Sequence, residues 1–147
     1  MQDTIERELT VKAPKERVFN AIADPTQITA WFPDSVEGSL EVGQNPILDF
    51  GTDGKTQIHV VANQPYDYFA YRWVPINADK TSGFVGDILS RPNTLVEFRL
   101  QEGPEGTTVK LTESGFASLP AELQEKSIAN NNEGWDYMFD RLKKYFD

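Results

Sequence analysis

Hydrophobic and polar positions along the chain follow first a period of two and, at the end, a period of about 3.6. Residues 4–12 alternate, with Ile5, Arg7, Leu9 and Val11 on one side and Glu6, Glu8, Thr10 and Lys12 on the other, the pattern of a strand with one covered face. Ala13-Pro14 ends it, since proline fixes φ and carries no ladder donor, and Pro14 suits the first turn of a helix striped by Val18, Phe19 and Ile22. Asp24-Pro25 closes that helix, and Pro25 opens a second short one through Trp31. Four short β-rich runs follow, 36–42, 47–51, 56–62 and 68–73, separated by Gly43-Gln44-Asn45-Pro46, Asp53-Gly54 and Asn63-Gln64-Pro65. Alternation is cleanest at 94–101 (Val96, Phe98, Leu100) and 107–114 (Val109, Leu111), which predicts a hairpin across residues 102–106.

From Leu119-Pro120 onward the rhythm turns helical, with a weak amphipathic turn around Leu123 and then Trp135, Met138, Phe139, Leu142 and Phe146 on one helical face. Gly134 sits inside that pattern, where glycine costs about 1 kcal/mol relative to alanine, and this predicts a close backbone approach or a break between two helical pieces. So apolar a terminal helix needs a surface to grip it, and the strands supply one. The expected architecture is α+β: a sheet curled around a long C-terminal helix, with a space between them whose lining is the functional question. Residues 74–93 are too many for a hairpin loop and include Ile76, Phe84, Val85, Ile88 and Leu89, which predicts a lid or extra structure. With no repeat, low-complexity tract or linker, residues 1–147 are expected to form one domain.

Composition narrows the function classes. A chain of 147 residues buries roughly 68 to 70% of its unfolded surface, enough for a core without disulfides or metal. It has no cysteine, which favours a cytoplasmic setting. The N-terminus shows no basic segment leading into an apolar one, and no stretch approaches membrane-spanning length; membrane and secretory roles are not expected. A formal net charge of -9 repels a phosphate backbone and argues against nucleic acid as partner. Small neutral molecules remain.

Particular residues carry a family resemblance. The run Ile5-Glu6-Arg7-Glu8-Leu9-Thr10-Val11-Lys12-Ala13-Pro14-Lys15-Glu16-Arg17-Val18-Phe19 resembles the opening motif of the homologues of the activator of heat-shock-protein-90 ATPase, within the START-like (SRPBCC, birch-pollen-allergen-like) superfamily. Trp31-Phe32-Pro33, Tyr71-Arg72-Trp73, the run from Thr107 to Phe116, and Gly134-Trp135 followed by Leu142 resemble further motifs of that family, in the same order. The resemblance implies a helix-grip fold: a curved antiparallel sheet of about seven strands wrapped around the C-terminal helix, with two short helices after the first strand. Two departures stand out: Glu113 occupies a position where many relatives carry histidine, and segment 74–93 is longer than expected.

Under that resemblance an aromatic set faces inward: Trp31, Phe50, Tyr71, Trp73, Phe98, Phe116, Trp135, Met138 and Phe139, with Leu142. Such a lining suits a flat hydrophobic or aromatic molecule, or it is simply a filled core. Glu113 keeps the phase of Val109 and Leu111, so its carboxylate is expected inside, where a cation or hydrogen-bond donors must compensate it. Arg7 is the expected partner, as a polar anchor at the cavity mouth or a structural pair. His59, the lone histidine, is a general-base candidate only if it faces Glu113. No Ser-His-Asp arrangement or metal-ligand spacing emerges, and no cofactor or metal is expected. Asn130-Asn131-Asn132-Glu133 could cap the terminal helix or line a pocket entrance, and asparagine's local backbone bonding favours the cap. The first functional expectation is a ligand-binding module for a small hydrophobic molecule. The others are a co-chaperone-type interaction domain with a chaperone partner and a stress-response role, and a cyclase- or hydrolase-like enzyme.

Overall fold

The computed structural model describes residues 3–76 and 83–147. Strand β1 (Thr4–Val11) is followed by helix α1 (Lys15–Ala23), whose buried Val18, Phe19 and Ile22 form the stripe anticipated after Pro14. Three short strands, β2 (Ser35–Glu37), β3 (Ile47–Asp49) and β4 (Lys55–Gln57), make a small antiparallel sheet in the order β2-β3-β4. Then come β5 (His59–Gln64), β6 (Tyr68–Trp73), β7 (Thr94–Gly103), β8 (Gly106–Ser114) and helix α2 (Ala121–Phe146). The larger sheet has the antiparallel order β1-β8-β7-β6-β5, so the first strand closes against the last. This is the helix-grip arrangement, with α2 packed on the inner face of the sheet.

Alternation sets the register. On β8, Thr107, Val109, Leu111 and Glu113 are buried, and one row across the sheet runs Ile5, Glu113, Val96, Tyr71. Gly106 turns the β7–β8 hairpin with φ +129°, and a Cβ there would lie 2.0 Å from the Val11 carbonyl oxygen. Thr107 Oγ1 donates to the Ala13 carbonyl at 2.8 Å beside it. The hairpin turn and the end of β1 are thus fitted backbone to backbone. Trp31, Phe98, Phe69, Phe116 and Leu142 lie in the continuous core between sheet and helices.

Several local expectations are corrected. Eight strands lie among the described residues, because the expected strand 56–62 is divided at Ile58 between the two sheets. The buried phase Thr56, Ile58, Val60 runs straight through that change, so alternation carries no mark of it. The run 36–42 stops at Glu37, where Gly38 takes φ +110°. The second short helix is a single 3-10 turn, Ile28–Ala30. Helix α2 includes the turn around Leu123 and is unbroken at Gly134, where nothing stands within 4 Å of a built Cβ; neither a close approach nor a break explains this glycine. The asparagine run lies in the middle of α2 and caps nothing.

In segment 74–93, residues 77–82 lie outside the described residues. Beyond them Gln57 N–H donates to the Phe84 carbonyl at 2.7 Å, and Phe84 N–H donates to Thr56 Oγ1 at 3.2 Å. The segment therefore covers the outer edge of β4, which would otherwise present unpaired backbone groups.

Candidate functional site

Glu113 is brought inside by the alternation of β8 and is 0% exposed. Burying a carboxylate costs several kcal/mol unless its oxygens are satisfied. Here neutral donors satisfy them. Oε1 accepts Trp135 Nε1–H at 2.8 Å and Asn131 Nδ2–H at 2.8 Å. Oε2 accepts Trp73 Nε1–H at 2.9 Å, Thr94 Oγ1–H at 2.6 Å and Asn131 Nδ2–H at 2.9 Å. Hydrogen bonds to a charged group contribute about 1.5–3 kcal/mol each, so the set offsets the desolvation. No lysine or arginine pairs with Glu113 among the described residues.

Those bonds fix two indoles. Trp73 ends β6 and Trp135 lies on α2, and their rings stack with centroids 5.8 Å apart. Phe32 stacks on the Trp135 ring at 5.5 Å, and Phe50 meets Phe32 edge-on at 5.2 Å. In front of this aromatic wall opens a cleft of about 390 Å³. One side is α2, through Asn130, Asn131, Gly134, Trp135 and Met138; Asp53, Gly54, Lys55 and Thr56 line it from the β4 side, and Val74, Pro75 and Gly83 complete the lining. The missing side chain at Gly134 widens the cleft on its helical side. The volume falls in the range of small-molecule sites, roughly 300–1,000 Å³.

Of the residues singled out from sequence, Phe50, Trp73, Trp135 and Met138 line the cleft. Glu113 lies directly behind it. Trp31 does not line it: its ring packs on Phe98 and its Nε1–H donates to the Ala21 carbonyl at 2.7 Å, in the core. Phe98, Phe116, Phe139 and Leu142 are likewise buried core residues. Tyr71 is buried beneath the wall, and its hydroxyl has no hydrogen-bond partner among the described residues. Burial, with the negative charge of Glu113 as a second cause, pushes that hydroxyl well above the usual tyrosine range.

The expected Arg7–Glu113 pair does not form. Arg7 stands opposite Leu111, one step along from the Ile5–Glu113 position, and its guanidinium turns to α2. Nε–H donates to Asp136 at 2.7 Å and an Nη2–H to Asn132 Oδ1 at 2.8 Å. His59 does not meet Glu113 either. It falls out of phase with buried Ile58 and Val60, and its Nδ1 lies 2.9 Å from Asn45 Oδ1. Among the described residues no group of three or more His, Cys, Asp or Glu side chains could hold a metal ion.

Sequence reasoning missed Phe32 and Thr94, and it passed over Asn131 by preferring the helix cap to the pocket entrance, which is where the residue stands. Asn131 was legible in principle, since it precedes Trp135 by four residues and so shares its helical face. Phe32 is the neighbour of Trp31, and the 3-10 turn before them sends the tryptophan into the core and the phenylalanine to the cleft.

A family model described as activator of Hsp90 ATPase homolog 1-like protein matches residues 12–147. The chain belongs to that family. Similar solved structures support the fold of this activator-homolog-like chain. DynU16, a protein of the dynemicin biosynthetic locus, is 26% identical with a TM-score of 0.78 over 99% of this chain and 47% of its own; the chain thus spans about half of DynU16. MLL2253 of Mesorhizobium loti is 20% identical, with a TM-score of 0.76, over 96% of this chain and 94% of its own. The Aha1 dimer of Colwellia psychrerythraea gives 18% and 0.73, over 99% and 96%. No protein in a search of curated sequences matches significantly. Among the described residues, no helix of this activator-homolog-like protein is long and apolar enough to cross a membrane.

Proposed function

We propose that this activator-homolog-like protein is a binding module that encloses a small, flat, largely hydrophobic molecule in the cleft between α2 and β4. One observation carries the reading: both tryptophans beside the cleft spend their N–H groups on Glu113, so what borders the cleft is indole ring, half-buried Trp73 in front and buried Trp135 behind it. Aromatic faces of fixed orientation, with Met138 as an adaptable neighbour, suit stacking of a planar ligand. The amide of Asn130, the amide oxygen of Asn131 and the side chains of Asp53 and Lys55 supply the few polar groups that orient it. The similarity to a protein of a biosynthetic locus is consistent with a small-molecule role.

The test is native mass spectrometry of freshly purified protein, with a thermal-shift screen of fused-ring aromatic compounds. A ligand of the folded state raises apparent stability. Retained mass or stabilisation that disappears in Trp73→Ala supports the reading; a full screen with neither overturns it.

Family membership supports a second reading, binding to a chaperone through the outer sheet face, where Arg72, Glu97, Arg99 and Lys110 alternate with the inward set. Pull-down with a chaperone middle domain separates the two, because Trp73→Ala leaves that face untouched.

A further inference from the structure

Resting on the reading of the cleft as a ligand site, we infer that its ligand carries a positive charge, as a quaternary or protonated ammonium group attached to or forming part of an aromatic ring system. Four donor groups satisfy the lone pairs of Glu113 but do not neutralise it. All four come from neutral side chains, and no cation pairs with the carboxylate among the described residues. A full negative charge therefore stands behind the aromatic wall, one indole's length from the open cleft. Inside a protein such a charge is weakly screened, and its attraction for a cation at that distance is correspondingly large.

The wall conducts this preference. Trp73 and Trp135 donate their N–H groups directly to the carboxylate, which polarises each indole toward a more electron-rich ring. Tryptophan is already the best aromatic partner for a cation over its face. Of the other charges near the cleft, that of Arg141 opposes the effect, since its guanidinium lies 4.0 Å from the Met138 sulfur with no acidic partner among the described residues. It makes no bond to either indole, whereas Glu113 bonds both. Asp53 and Lys55 are opposite in sign, both exposed, and sit on the same rim. The guanidinium of Arg7 is held by Asp136, and that of Arg141 donates to the Phe32 carbonyl and also lies over Tyr137. Tyr71 lies in the same row of the sheet, where burial first and the Glu113 charge second favour its neutral hydroxyl. A cation in the cleft would supply the counter-charge that the fold leaves out.

The experiment uses three probes of one shape: naphthalen-2-yl-trimethylammonium, 2-tert-butylnaphthalene and naphthalene-2-sulfonate. Each is titrated into the whole protein while the indole N–H signals are followed by NMR. Binding in the cleft moves the Trp73 and Trp135 signals and leaves that of Trp31, bonded to Ala21 in the core, in place. The expected order of affinity is cation, neutral, anion, with the cation at least about tenfold tighter than its neutral isostere. The same ratio is expected at 1 M NaCl, where the screening length is about 3 Å and rim charges no longer count. In Glu113→Gln the ratio is expected to fall to about twofold or less. Neutral or anionic probes binding as tightly as the cation overturn the inference and leave the cleft a ligand site. A cation preference that vanishes in high salt assigns it to the acidic surface and also overturns it. If Glu113→Gln does not fold, the wild-type ratios at two salt concentrations decide. If no probe of any charge binds, the reading of the cleft falls and the inference with it.

Discussion

Trp73 and Trp135 come from opposite layers of the molecule, stack at 5.8 Å, and donate to different oxygens of one carboxylate. Glu113 is thus a clamp between sheet and helix. Replacing it with alanine leaves four donors facing a void, and an unsatisfied buried donor costs about 1–3 kcal/mol. With partial relaxation, Glu113→Ala is expected to lose about 3–5 kcal/mol of stability, and Glu113→Gln less, because the amide oxygen still accepts. Urea unfolding measures both. A loss below about 1 kcal/mol in the alanine variant would show that the clamp carries little of the fold.

Tyr71 offers the opposite case. Its hydroxyl is buried without a partner among the described residues, so removing it deletes a desolvation cost and no bond. Tyr71→Phe is expected to be neutral or stabilising by up to about 1 kcal/mol. A marked drop in the urea midpoint contradicts this.

Gly134 separates stability from binding. Alanine there meets nothing within 4 Å and should stabilise α2 by about 1 kcal/mol, read as a higher unfolding midpoint. Gly134→Leu extends into the cleft. It should fold while losing the binding of fused-ring compounds, and retention of wild-type affinity would place the ligand elsewhere.

Arg7 joins β1 to α2 through Asp136 and Asn132, with its side chain one-quarter exposed and that of Asp136 68% exposed. Exposed ion pairs contribute about 0–1 kcal/mol, so Arg7→Ala should cost no more than that, and less as salt is added. Because Arg7 does not pair with Glu113, the Trp73 and Trp135 indole N–H signals should stay where they are. A large shift of both would restore the coupling expected from sequence.

Alkaline titration probes a different pair. Burial first, then the hydrogen bond to Glu97 and its charge, push the Tyr68 hydroxyl from 10.0 up to about 12. A raised value means the folded state holds this proton longer. Its contribution to stability is complete below pH 10.0 and is lost as pH climbs toward 12. Tyrosinate absorbance should therefore show Tyr68 and Tyr71 lagging behind the other tyrosines, and Tyr68→Phe should flatten the loss of stability in that window. Ionisation of all five tyrosines together near pH 10 rejects both shifts.

Much of the fold was legible because its elements obey one period each. β1, β6 and the β7–β8 hairpin emerge from alternation at close to their observed limits, and α2 emerges from helical spacing but without its continuity through Gly134. The division at Ile58 was not legible, since a strand leaving one sheet for another keeps its in-out phase. The inward turn of Glu113 followed from Val109 and Leu111, yet its partners did not. Choosing between Arg7 and Asn131 requires knowing where α2 crosses the sheet, and no local pattern records that crossing. The aromatic set was legible as interior, but the split between core (Trp31, Phe98, Phe116) and cleft (Phe50, Trp73, Met138) depends on single-residue rotations at turns such as Ile28–Ala30.

The groups that hold Glu113 are spread over β6, β7 and the C-terminal helix. During synthesis, a chain halted before Trp135 emerges has the acid but only part of its cradle, and an α2 wall that lacks Trp135 and Met138. Contacts so distant along the chain form late and together. Binding competence therefore waits for the second half of α2, which brings both Trp135 and Met138.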